Sequence, residues 1–190
     1  MLNVLLDPLP EEWKGYAIDT DFQTGIMISQ CLADENLTDT ERFFTAAGLL
    51  FPRERPGNEE IAEAIKWYMT EFSHDNQEKK HDSLVVMDWN IDQWRIYAAF
   101  RSQYSIDLNT ERLHWFAFMG LLANLGECAF TRVMDIRQKK ITSRMSLEDK
   151  EALRKAKRIF EIKAPREEQS PEDRQQVEEF MKYLNINKRK

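Results

Sequence analysis

Apolar positions in this chain recur at three- and four-residue steps through most of its length, the pattern of helices that bury one face. Ile61, Ala64, Ile65, Tyr68, Met69 and Phe72 form the cleanest stripe, with Asn58 placed to cap it. An earlier helix is predicted over about residues 21–34, capped by Thr20 or Asp19, with Phe22, Ile26, Ile28 and Leu32 as its apolar members. Another starts at Thr38, where Glu41 completes a capping box ahead of Phe43, Phe44, Ala47 and Leu50. It must stop near Phe51, because Pro52 and Pro56–Gly57 cannot continue it. Residues 1–19 alternate differently: Leu2–Leu6 reads as a short strand, Pro8 and Pro10 interrupt it, and Tyr16–Ile18 follows, so a small β-hairpin or extended arm is predicted.

Ser73–Ser83 has no apolar period and reads as a surface loop. After it, Ile91, Trp94, Tyr97, Ala98, Phe100 and Tyr104 predict a helix with a broad aromatic face, along whose rings Arg101 is placed to lie. The next helix is predicted from Asn109 or Thr110 to about Leu125. Trp115, Phe118, Leu122 and Leu125 fall on one stripe and Phe116, Met119 and Ala123 on another. Its remaining side, Leu113, Ala117, Gly120 and Asn124, is mostly small and invites close approach by another helix. A helix apolar nearly all round is a central one, so His114 reads as a half-buried histidine of its first turn rather than a catalytic base. The pattern weakens through Phe130, Val133 and Ile136. Ser146 and Asp149 then form another expected capping box, opening a basic amphipathic helix carrying Leu147, Leu153, Ile159 and Phe160. Ser170-Pro171-Glu172-Asp173 starts a last helix with a narrow stripe of Val177, Phe180, Met181 and Leu184.

The fold class is therefore mainly α: a compact multi-helix domain with a small N-terminal β element and a C-terminal amphipathic helix. Residues 1–163 make the globular domain, and 164–190 make a hinge and the tail helix. The tail stripe can dock on its own domain, or reach a neighbouring copy or another partner. Trp67 lies off its helix's stripe among Glu60, Glu63 and Glu71, so it either covers a neighbouring element or contacts a partner. Trp67, Val177, Phe180, Met181 and Leu184 are the candidate partner-binding residues.

Charge changes the picture only locally. Residues 1–131 hold 10 Lys/Arg against 22 Asp/Glu, whereas residues 132–163 hold 11 against 5. The basic segment reads as a solvated helix complementing an acidic remainder, since it lacks the aromatic interleaving of a nucleic-acid surface. Cys31 and Cys128 sit far apart among apolar neighbours, as reduced thiols of a cytoplasmic protein would. Met1–Pro10 does not resemble a signal peptide, and Trp115–Leu125 is too short to span a bilayer, so no membrane association is expected.

Candidate chemistry is sparse. His74-Asp75 and His81-Asp82 are the kind of doublets that hold divalent ions in phosphohydrolases, but they fall in the polar loop without rigid support. No nucleophile elbow, Cys-His pairing or Gly-rich phosphate loop is present. No catalytic, cofactor or metal residues are predicted, and the protein is not expected to be an enzyme.

Three stretches, LLDPLPEEW…YAIDTDFQ, IYAAFRSQYSIDL and LHWFAFMGLLANL, together resemble a family of small proteins from tailed phages and prophages of Gram-positive bacteria. The matching positions are Thr20-Asp21-Phe22, Tyr97 to Leu108, and Leu113-His114-Trp115, and the resemblance spans roughly residues 1–160. This chain departs from the family in a shortened stretch between Pro10 and Tyr16 and in the tail after Pro165. The resemblance implies a product of the tail module, encoded beside the tape-measure gene. That in turn implies a tail assembly chaperone working in the host cytoplasm and absent from the mature virion. Its implied partners are the tape-measure protein and the tail tube protein, with self-association open through the tail helix. A structural tail or connector subunit is the alternative.

Overall fold

The computed structural model describes residues 3–71 and 86–162. The chain divides into two compact units, Met1–Phe160 and Glu161–Lys190, and the described residues belong almost wholly to the first. Its elements are β1 (Glu12–Trp13), β2 (Tyr16–Ala17), α1 (Phe22–Ala33), α2 (Asp39–Leu50), α3 (Asn58–Thr70), α4 (Trp89–Gln103), α5 (Trp115–Ala123), α6 (Ala129–Gln138) and α7 (Leu147–Ile159). The fold is mainly α. Helix α1 packs on α2 and α5, α2 on α3, α4 on α6, and α6 on α7.

The hairpin exists but uses other residues than Leu2–Leu6. Strands β1 and β2 pair antiparallel, Glu12 with Ala17 and Trp13 with Tyr16. Lys14 and Gly15 turn the corner at φ 48° and 87°. A two-residue hairpin loop of this kind needs positive φ at both places, which glycine supplies without strain. Val4–Leu6 instead lie in a turn, where the Leu6 and Asp7 amides donate to the Asn3 carbonyl at 2.9 and 2.8 Å. Asn3 and Asp7 close that turn with their side chains, a local competition that a lone apolar triplet does not overcome.

The segments that look motif-like in the sequence are the joints of the fold. Asp21 and His114 form an isolated antiparallel bridge. Around it the Phe22 amide donates to the Leu113 carbonyl at 2.9 Å, and the Trp115 amide to the Thr20 carbonyl at 2.7 Å. Helices α1 and α5 thus start side by side from one short pairing. Asp21 caps α1 by accepting from the Gln23 amide at 2.9 Å, while Asp19, one of the two expected caps, accepts from the Asp21 amide. Asp107 organises the third joint. Its carbonyl takes the Thr110 and Glu111 amides, and its carboxylate takes the Asn109 amide and the Tyr97 hydroxyl.

Because of that turn, α5 starts at Trp115 rather than at Asn109 or Thr110, and His114 is its N-cap. The imidazole Nδ1 accepts from the Phe116 amide at 3.0 Å, which leaves the proton on Nε2 to donate to the Pro10 carbonyl, also at 3.0 Å. One ring therefore caps a helix and pins the N-terminal segment to it. Gly57, not Asn58, is the N-cap of α3; the expected capping box at Thr38 and Glu41 is present, and its bonds hold the Glu41 carboxyl below its ordinary pKa.

Trp115 fills the centre. Its indole N–H donates to the Tyr68 carbonyl at 3.0 Å, and its ring stacks near Tyr68 and Phe118. Phe118 in turn stacks on Phe22 and Phe100 at centroid distances of 4.8 and 5.0 Å. The predicted stripe of Trp115, Phe118, Leu122 and Leu125 is buried throughout. The small side around Gly120 is not a helix contact, because a Cβ there would meet nothing within 4 Å. Close approach happens at Gly25 of α1 instead, where a Cβ would stand 2.2 Å from the Trp115 ring. Only glycine fits beside that indole.

Candidate partner-binding surface

Helix α4 buries only part of the face its aromatics suggest: Phe100 is in the core and Tyr104 packs against it, but the Ile91–Trp94 end is turned out. Asp92, Ile96, Ala99 and Phe100 point inward, whereas Ile91 is 42% and Trp94 71% exposed. A charge pair sets this rotation. Asp92 is fully buried and meets Arg137 of α6 in a bidentate contact, at 2.6 and 3.2 Å. The same guanidinium donates to the Phe160 carbonyl at 2.6 Å and the Val86 carbonyl at 2.9 Å, and Arg95 adds a second cation to Asp92 at 2.8 Å. Buried charge of this kind is tolerable only when both partners are this fully bonded. The node ties the start of α4, the end of α6 and the residue after α7 together.

Neither residue was singled out by sequence reasoning, although a signal existed. Asp92 stands four residues before Ile96 and eight before Phe100, on their stripe, and Arg137 stands four after Val133 and seven after Phe130. A lone acid on one apolar stripe and a lone base on another are a pair waiting to meet. Arg101, expected along the Trp94 and Tyr97 rings, instead faces Asp107 at 4.0 Å.

Rotated this way, α4 leaves its other side facing α1 across an open groove of about 310 Å³. Ile26 and Leu108 are its partly exposed aliphatic members, with the buried Phe22, Ile96 and Phe118 beneath them, Trp94 and Tyr97 meet edge to face on one wall, and Gln23, Gln30, Asn90, Gln93 and Asn109 supply amides. None of its lining residues is charged. Gln30 donates to the Asn90 side chain at 3.0 Å, and the Trp89 indole to the Ser29 hydroxyl at 3.1 Å, so two hydrogen bonds bind the walls together. A preformed uncharged groove that mixes aromatic, aliphatic and amide groups suits the side chains of a partner segment, with hydrogen-bonding groups to orient it.

Trp67 is half-buried and packs edge to face on Phe116 at 5.3 Å, so much of its ring is spent on the core. Val177, Phe180, Met181 and Leu184 lie outside the described residues, as do His74, Asp75, His81 and Asp82. Among the described residues no three His, Cys, Asp or Glu side chains gather where they could hold a metal ion, and no helix is long and apolar enough to cross a membrane. Cys31 and Cys128 are both free thiols, partly buried.

His114 carries a pH signature. Burial holds it below its ordinary 6.5, against the opposing pull of the Pro10 carbonyl and the Glu11 charge. The unfolded chain therefore takes up this proton before the folded one does. Stability contributed by neutral His114 is complete above about pH 6.5 and is lost as pH falls toward the lower folded value. Urea midpoints should drop between about pH 7.5 and about pH 5.5, and His114→Asn, which can still cap the helix, should flatten that slope. An unchanged slope in the variant would remove His114 from this role.

The fold and this surface together define a mainly α protein whose joints are the TDF, IDL and LHW segments and which carries an uncharged groove between α1 and α4. Residues 5–162 match the family described as Bacteriophage Gp15 protein. The chain belongs to that family and is a phage protein. No curated protein and no solved structure matches it.

Proposed function

We propose that this phage protein is a tail assembly factor: a non-enzymatic chaperone, encoded in the tail module, that binds the tape-measure protein in the host cytoplasm and is absent from the finished virion. The groove between α1 and α4 carries the reading. A tape measure is a long helical chain with apolar stripes, and such a stripe needs cover until tube subunits surround it. The groove offers mixed aromatic, aliphatic and amide surface with the exposed Trp94 among its lining, and its lack of charge lets a segment enter without stranding an ion. The resemblance of the TDF, IDL and LHW segments to tail-module proteins of Gram-positive phages points the same way.

Co-expression with the cognate tape-measure protein tests it. The tape measure should stay soluble and co-purify. Trp94→Ala should leave the melting temperature unchanged, because a largely exposed side chain contributes little to folding. The same change should weaken the complex by roughly thirtyfold, about 2 kcal/mol, as loss of a binding hot spot does. A tape measure equally soluble without this protein would defeat the proposal. Mass spectrometry of purified particles separates a chaperone, absent from them, from a structural tail or connector subunit, which would be present.

A further inference from the structure

Residues 139–158 hold eight Lys/Arg against three Asp/Glu, in a chain whose residues 1–131 hold 10 against 22. Lys139, Lys140, Arg144, Arg154, Lys155 and Arg158 are exposed, and none of them makes an ion pair with a described residue. Contact with acids of its own domain therefore does not satisfy this charge. Two bonds to carbonyls gather it at one end of the α6–α7 pair. Lys157 donates to the Arg137 carbonyl at 2.7 Å, and Arg137 to the Phe160 carbonyl at 2.6 Å. The last turn of α7 thus lies against the last turn of α6, where Lys139 and Lys140 follow. Cations at helix C-termini complement the helix dipole, but Lys140 and Arg144 lie beyond both helices, so the dipole alone does not account for them. Aliphatic surface is mixed in: Ile159 is 66% and Ile141 39% exposed, while Leu153 alone of α7 is buried. A helix so thinly buried keeps most of its surface for other contacts.

We propose that the C-terminal half of α7 and the residues that follow α6 form a docking surface for an acidic peptide segment of a partner protein, one that also brings an aliphatic side chain to Ile159. Charge complementarity selects the occupant. Residues 152–160 carry four cations and no acid, and Glu148 and Glu151 stand in the first two turns of α7, away from Ile159. Incoming carboxylates there meet unpaired cations, an attraction that reaches about one Debye length, roughly 8 Å, in physiological salt. Nucleic acid suits the surface less well. No aromatic residue lies within 139–158 to stack a base, and a long polyanion would run on past the acidic remainder of the chain. A bilayer suits it less well too. The exposed Leu147 and Ile159 stand at opposite ends of α7, about 18 Å apart along the helix, so they form no single apolar face. This surface shares no residue with the α1–α4 groove, and it stands whether or not that groove receives a tape measure.

Fluorescence anisotropy of a labelled peptide repeating Glu-Leu-Glu-Glu, titrated with the full chain at about 0.15 M salt, decides the matter. The peptide should bind with a dissociation constant below about 100 μM. Lys139→Glu/Lys140→Glu/Arg158→Glu should weaken binding at least about tenfold at an unchanged melting temperature, since all three side chains are exposed. Ile159→Ser should weaken it about fivefold, through the lost aliphatic contact. Binding weaker than that limit would overturn the proposal, as would binding that the charge-reversed variant or Ile159→Ser leaves unchanged. Tighter binding of duplex DNA of matching charge, or of vesicles containing phosphatidylglycerol, would overturn it in favour of that other partner.

Discussion

Arg137→Met should destabilise the protein by about 3–5 kcal/mol, the usual cost of removing one partner from a buried ion pair. The Asp92 carboxylate would stay fully buried with Arg95 as its remaining cation, and the Val86 and Phe160 carbonyls would each lose a donor. The penalty lies in the stranded charge more than in the lost attraction. Asp92→Leu combined with Arg137→Met should therefore recover much of the loss, since an apolar pair strands nothing. Urea unfolding, with the slope compared between variants, checks both numbers. A double variant as unstable as the single one would mean that the carbonyl bonds, not the carboxylate, carry the node.

Trp115→Ala should cost about 3–5 kcal/mol, the range for deleting a large aromatic from a packed core. Gly25→Ala alone should cost about 1–3 kcal/mol, because its methyl would enter the space of a ring that has nowhere to move. The two changes should be strongly non-additive. With the indole gone the methyl meets no ring, so in the Trp115→Ala background Gly25→Ala should be nearly neutral. Additive losses in a double-mutant cycle would show that Gly25 is required by its backbone and not by the tryptophan.

These two sites also show what a single sequence can and cannot disclose. The stripe containing Trp115 and Phe118 was readable because helical periodicity is local, as were the caps at Thr38 and Ser146, whose partners lie three residues away. The start of α5 was not readable. It depends on Asp107 stopping the chain in a turn and on His114 reaching Pro10, 104 residues away. The role of Gly25 depends equally on a ring that belongs to another helix.

The candidate surface was hidden for a related reason. Composition made the Ile91, Trp94 and Tyr97 side of α4 look like core, and by hydrophobicity alone it would be. The Asp92–Arg137 pair turns the helix so that Ile96 and Phe100 go inward, and the aromatic side becomes a groove wall. Trp67 was legible as an aromatic out of pattern, and the Phe116 contact answers to the covering role. The tail-helix residues Val177, Phe180, Met181 and Leu184 lie outside the described residues, so that interaction rests on the sequence pattern alone.

Amide hydrogen exchange on the protein with and without its tape-measure partner addresses the functional reading most directly. Binding in the α1–α4 groove should slow exchange in peptides covering residues 23–30 and 89–97, which form its two walls, and leave α7 unchanged. Protection confined to other elements, or none at all in a complex that still forms, would contradict the assignment of this groove to the tape measure.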